Sequence, residues 1–157
     1  RTHESVVRAL LGRARGLPQE AVHHAVEARR GAEKMALVAF HFYAMAIEAC
    51  ARVDLGEVHA ATLVAATALG AVENLQGCEC GLEFRVLCAD ALERAGSPQA
   101  PEARQAAKDY AVALAGLVRD PRLRKLFAER SINKPFFGAS RASVATSQVV
   151  PGETAQK

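Results

Sequence analysis

The chain has no tryptophan, and its aromatic content is 5%. Aromatics for the stacking that single-stranded nucleic-acid binders use are therefore sparse, and the core must be built largely from smaller groups. It has no Gly-rich phosphate loop, no Ser-His-Asp order and no His-Glu-x-x-His pattern. Nothing in it specifies nucleotide, acyl-transfer or zinc-hydrolase chemistry. No enzymatic activity and no cofactor are expected. The four cysteines, Cys50, Cys78, Cys80 and Cys88, do not form the spaced framework of a disulfide-rich secreted domain, so reduced thiols in a cytoplasmic protein are expected. No signal peptide is visible, and the polar start at Arg1 suggests a piece cut from a longer protein. The most apolar stretch, residues 35–53, contains His41, Glu48 and Arg52. That composition favours a buried core helix over a membrane span.

Alanine supplies most of the apolar content. It is the best helix former and lets neighbouring backbones approach closely. Gly16, Gly56 and Gly96 lie forty residues apart, each preceded seven residues earlier by Ala9, Ala49 or Ala89. Ala21 and Ala61 follow the first two glycines by five residues, where the third place holds Pro101 with Ala100 and Ala103 beside it. A glycine at such a point ends a helix in a left-handed conformation, and a repeat of this length marks stacked helical hairpins. One hairpin cannot bury its outer apolar face alone, so it stacks on the next.

The fold expected is all-α: an α-solenoid fragment of about six helices plus a short C-terminal one. The helical-repeat domain covers residues 1–131, with hairpins at about 1–31, 32–75 and 79–119 and a lid helix at 121–131. Val6, Val7, Leu10 and Leu11 mark one face of the first helix. Leu82, Val86, Leu87 and Ala91 mark the core side of the fifth, and Ala103, Ala107, Tyr110, Ala111 and Leu114 that of the sixth. Leu123, Leu126 and Phe127 are expected to turn inward from the lid. Residues 132–157 have the composition of a flexible tail, although Phe136 and Phe137 are costly to leave in water.

Two stretches resemble the tetratricopeptide repeat superfamily, in particular the helical C-terminal regions of bacterial Hanks-type kinases and multidomain ATPase regulators. One is residues 44–71, with Gly56 in the turn and Ala61, Ala65 and Ala68 at small-residue places. The other is Leu92-Glu93-Arg94-Ala95-Gly96, followed by Asp120-Pro121-Arg122-Leu123-Arg124-Lys125-Leu126-Phe127. The period is forty rather than the roughly thirty-four of that family, Glu48 stands at a usually apolar place, and the large aromatic near the first helix start is missing. The resemblance implies recognition of another protein or peptide on a concave surface, without chemistry, as part of a larger bacterial signalling protein.

Charge is unevenly distributed. Residues 31–118 carry six basic and eleven acidic side chains, a balance of −5, while residues 119–157 carry eight basic and three acidic, a balance of +5. An acidic body favours a basic partner segment through long-range steering. Glu48, Arg52, Glu83 and Asp90, on the first helices of the second and third hairpins, are the expected partner contacts. Glu73, Glu79 and Glu93 extend the acidic character. Arg119, Arg122, Arg124, Lys125 and Arg130 are the strongest basic cluster. They complement the dipole at the end of the sixth helix, and nucleic acid is not the expected partner.

Cys78-Glu79-Cys80 with Cys88 lacks the two-to-four-residue spacing of a zinc knuckle, so no metal is expected there. His23, His24, His41 and His59 are expected as packed or hydrogen-bonded side chains. Two further readings compete with the scaffold: a pocket for a small apolar ligand lined by Phe40, Phe42, Tyr43 and Met45, and a homodimer through an apolar end face.

Overall fold

A computed structural model describes residues 1–72 and 80–137, with the side chain of Val72 excepted. Among them are eight helices and no strand: α1 (Thr2–Ala14), α2 (Pro18–Lys34), α3 (Val38–Asp54), α4 (Val58–Val72), α5 (Gly81–Arg94), α6 (Ala100–Leu117), α7 (Pro121–Glu129) and α8 (Lys134–Phe137). No helix among these residues is long and apolar enough to cross a membrane.

The glycine register governs the turns. Gly16, Gly56 and Gly96 have φ of +71°, +79° and +66°, a backbone region that opposes any Cβ. At each turn the residue after the glycine donates back across it. The N–H groups of Leu17, Glu57 and Ser97 reach the carbonyls of Gly12, Arg52 and Leu92 at 2.8, 2.9 and 2.9 Å. The glycine N–H groups bond to Arg13, Val53 and Glu93. These paired bonds satisfy carbonyls that a helix end otherwise leaves open. By contrast, α1, α2, α3, α5 and α6 have no side-chain N-cap bond. Termination is therefore encoded more sharply than initiation.

The third hairpin departs from the register after its glycine. The first helical bond runs from Ala21 to Leu17 and from Ala61 to Glu57, but from Ala103 to Gln99. Leu17 and Glu57 follow their glycines by one residue, Gln99 by three. Ser97 and Pro98 thus lengthen the turn, and Ala103, not Pro101, takes the buried small-residue place.

The break between the second and third helices lies later than the sequence suggested. Gly31 does not end α2. A Cβ there would stand 2.7 Å from Thr2 Oγ1, so this glycine serves the crossing of α1 over α2. The helix runs on to Lys34 and turns at Ala36, which has φ of +54°. Leu37 N–H returns to Ala32 O at 2.8 Å, the same closure as at the glycine turns.

Each hairpin packs on its neighbour, with α3 against α1, α2, α4 and α5. One core joins Val6, Ala9, Ala25 and Ala28 to Ala44 and Ile47. The other joins Met45, Ala49, Cys50, Ala65 and Ala68 to Phe84, Cys88 and Leu92. Tyr43 and Leu87 touch both. The repeating alanines Ala9, Ala49 and Ala89 are all buried. Eight consecutive residues of α3, 44–51, are buried.

Two expectations for helix faces need correction. On α1, Val6 is buried and Leu10 half-buried, but Val7 and Leu11 face solvent. The lid is not a lid: α7 has no buried residue, and Leu123 and Leu126 are 57% and 61% exposed. It is held at its ends. Asp120 caps it through Arg122 N–H and Leu123 N–H, and Arg124 donates to Val118 O at 2.7 and 3.0 Å. Phe127 is half-buried, edge-on to Phe137 with centroids 6.2 Å apart. That contact belongs to α8, a helical turn inside the segment expected to be tail. Residues 138–157, Glu73, Cys78 and Glu79 lie outside the described residues.

Candidate functional site

The four expected partner contacts lie in different environments. Glu48, on the α2-facing side of α3, is 1% exposed. Its Oε1 accepts from Arg52 Nε at 2.9 Å. Its Oε2 lies 3.2 Å from Arg29 Nη1, without hydrogen-bond alignment. Arg52 continues to Glu57 at 2.5 Å. Burial disfavours the Arg52 cation, but the Glu48 and Glu57 carboxylates outweigh it and raise the pKa. Glu48 is thus a buried strut between α2 and α3 rather than an exposed contact. Its place in an otherwise apolar helix is explained by the two arginines that reach it from the rim.

A second charge network ties the C-terminal ends of α1, α3 and α5. Asp54 accepts from Arg13 Nε at 3.2 Å and from Arg94 Nη2. Burial alone would raise the Asp54 carboxyl, but these two bonds hold it below its ordinary value. Asp90 is 3.6 Å from Arg94 and remains partly exposed. Glu83 is 3.5 Å from Arg130 and ties α5 to the chain beyond α7. The acidic residues on α5 therefore keep some access to solvent while already holding internal partners.

The first helices do not form a continuous open face, because the middle of α3 is enclosed on all sides. Phe40, Phe42, Tyr43 and Met45 pack in or against the two cores. Phe40 lies edge-on to His3 at 4.3 Å and Phe42 lies 6.4 Å from Phe84. Desolvation, then the proximity of Cys80 and Glu83, pushes the Tyr43 hydroxyl above its ordinary pKa.

An opening lies between α4, α5 and α6. This groove, of about 690 Å³, has walls of Ala66, Leu69, Ala103, Ala106 and Ala113 and a rim that includes Glu102 and Asp109. Arg85 stacks over Tyr110, 4.1 Å from its ring centroid, and donates to Gly81 O at 3.0 Å. Its guanidinium is thereby fixed at the groove. Nothing in the residue-type pattern singled it out: the walls are alanines indistinguishable in sequence from buried ones. The spacing of Ala66 and Ala106 off the buried stripes of α4 and α6 was the available signal.

Among the described residues, the thiols of Cys50 and Cys88 are buried. Cys50 donates to Leu87 O at 3.2 Å, and burial pushes its pKa up to about 12. Burial also raises that of Cys88. Cys80 holds the N-cap position of α5. The described residues that could share a metal ion are His23, His24 and Glu27, whose donor atoms lie within 4.8 Å of one another. His24 hydrogen-bonds to Glu27 at 3.1 Å, which with the nearby charges, Arg8 among them, lowers the Glu27 pKa. A neighbouring guanidinium opposes a cation at that place.

No family model matches this chain, and no curated protein or solved structure matches it significantly.

Proposed function

We propose that this chain is a tetratricopeptide-like scaffold that recognises a segment of another protein, and that the α4–α6 groove receives it. The supporting observation is the groove itself. Small side chains line an open channel between α4, α5 and α6, which suits apolar anchors from a partner helix or extended segment. Glu102 and Asp109 at the rim favour a partner with basic flanks. Glu83 and Asp90 on α5 add to the same negative field, which acts on encounter more than on final affinity. Arg85 supplies one fixed donor for a carbonyl or carboxylate. A role as a regulatory part of a larger bacterial signalling protein rests on the family resemblance, and a cytoplasmic location on the cysteine pattern.

The test uses a photo-crosslinking residue placed at Ala66, at Ala106 and, for comparison, at Lys34, which is exposed and remote in sequence from the groove. A discrete protein adduct from both groove positions and none from Lys34 is expected. Filling the groove with Ala106→Trp should abolish the Ala66 adduct. Equal labelling from all three positions would remove the basis for the assignment.

The same groove also suits a small apolar ligand, since its volume falls within the range of roughly 300–1,000 Å³ typical of ligand pockets. A rise in melting temperature with an apolar ligand, abolished by Ala106→Trp, would favour that reading through linkage.

A further inference from the structure

On the exposed side of α2, two imidazoles converge on one carboxylate. His24 turns Nδ1 to one oxygen of Glu27 at 3.1 Å, and His23 turns Nε2 to the other at 3.5 Å. The spacing brings this about. At about 100° per residue, Glu27 projects between His23 and His24 on the helix. The stack does not require titratable groups there: forty residues on, the corresponding positions hold Leu63, Val64 and Thr67. Nor does the exposure of this face depend on what precedes α1. Residues 21–30 and 61–70 show the same order of buried, half-buried and exposed positions, although the second hairpin has a packed neighbour on both sides. His23 and Glu27 are exposed and His24 is half-buried.

Two imidazole nitrogens and a carboxylate oxygen are a donor set for zinc and its neighbours in the first transition row, and open zinc sites commonly use three protein ligands. A hard cation such as magnesium prefers oxygen donors. Zinc bonds of about 2.0–2.1 Å in a tetrahedral shell set ligand atoms about 3.3 Å apart. The two His–Glu separations, 3.1 and 3.5 Å, lie on either side of that spacing. All the donor atoms lie within 4.8 Å of one another, and the His23 side chain, 68% exposed, has room to turn and close the remaining edge. Arg8 and Arg15 of α1 and Glu20 of α2 border the groove beside His24. Arg8, which opposes a cation here, is paired with Glu4 at 2.8 Å, so its charge weakens the site without occupying it.

We propose that His23, His24 and Glu27 form a site for a divalent zinc-class ion, each residue supplying one ligand atom and water completing the shell. The site lies on α2 and uses none of the residues that line the α4–α6 groove. Neutral imidazoles and an ionised carboxylate are the ligating forms. The metal ties positions 23 and 27 together across one turn, so its binding stabilises the folded chain.

The experiment adds zinc chloride to the full chain slightly above neutral pH. Imidazole nitrogen NMR and titration calorimetry follow binding, and circular dichroism confirms that each variant is folded. Zinc should shift the ring resonances of His23 and His24 and leave those of His41 and His59 in place. His23→Ala and Glu27→Gln, both at exposed positions, should each weaken binding at least about tenfold, the lower bound for loss of even an outer-shell partner. Each should also remove the rise in melting temperature that zinc gives the wild type. Arg8→Gln should tighten binding about threefold by removing a like charge. Magnesium should not displace the zinc. Unshifted His23 and His24 resonances would overturn the proposal. So would zinc binding that survives both His23→Ala and Glu27→Gln, which would place the ion on thiols or on other histidines.

Discussion

Asp54 and Arg94 hold the same place in successive repeats, forty residues apart, and are joined directly by a hydrogen-bonded ion pair. Arg13, from the end of α1, reaches the other oxygen of the same carboxylate. One side chain thus links the C-terminal ends of α1, α3 and α5, beside the glycine turns that fix where those helices stop.

That linkage has a pH signature. The folded chain holds the Asp54 carboxyl below its ordinary value, so the stabilisation is present above the unfolded-state pKa of about 3.9. It is lost as the pH falls through the lower folded-state value. Asp54→Asn should cost about 1 kcal/mol at pH 7, given that the three side chains are partly solvated. The difference from wild type should shrink below about pH 4. Urea denaturation at several pH values measures it, and a constant difference across the range would contradict the assignment.

Ala36 adopts the conformation that glycine adopts at the other turns. Ala36→Gly should stabilise the chain by about 0.5–1 kcal/mol, because relief of the left-handed strain exceeds the added unfolded-state entropy. Gly56→Ala should destabilise it by about 1 kcal/mol, through strain alone, since a Cβ at Gly56 meets no atom within 4 Å. Opposite shifts in melting temperature from these two substitutions are expected.

Glu48 is buried between Arg29 and Arg52, whose side chains are themselves 31% and 24% exposed. Glu48→Ala should cost about 2–3 kcal/mol, combining a cavity with two lost partners. Glu48→Met fills the space, and both arginines can turn to water, so the cost should be under about 1 kcal/mol. Partner binding, measured by the groove crosslink, should survive Glu48→Met.

Cys50 and Cys88 should resist thiol reagents in the native chain. With the Cys50 pKa pushed up to about 12, about one part in ten thousand is thiolate at pH 8. Labelling followed by mass spectrometry should show modification of both only at the rate of opening. Fast labelling of either under native conditions would contradict their burial.

Much of this architecture is legible in the sequence, for identifiable reasons. Positive φ restricts residue choice severely, so Gly16, Gly56 and Gly96 announced three turns. The fourth was missed because alanine at Ala36 takes a strained conformation that its type does not advertise, while Gly31 offered a false stop. Its real cause, the close pass of Thr2, is a tertiary contact between residues far apart in the chain. Glu48 was expected at the surface because a carboxylate normally is, and the arginines that accompany it inward come from α2 and from one turn along α3. The exposed leucines of α7 fit the same lesson. Helical periodicity shows that a helix has an apolar side, not that anything covers it. The groove was harder still, since its walls are the commonest residue of the chain.

Amide hydrogen exchange tests the buried-spine arrangement most directly. If α3 is the axis around which the hairpins stack, the amides of residues 44–51 should be among the slowest in the chain and open only with global unfolding, whereas those of α7 should exchange orders of magnitude faster through local opening. Exchange of residues 44–51 at the rates of α7 would contradict the forty-residue stack.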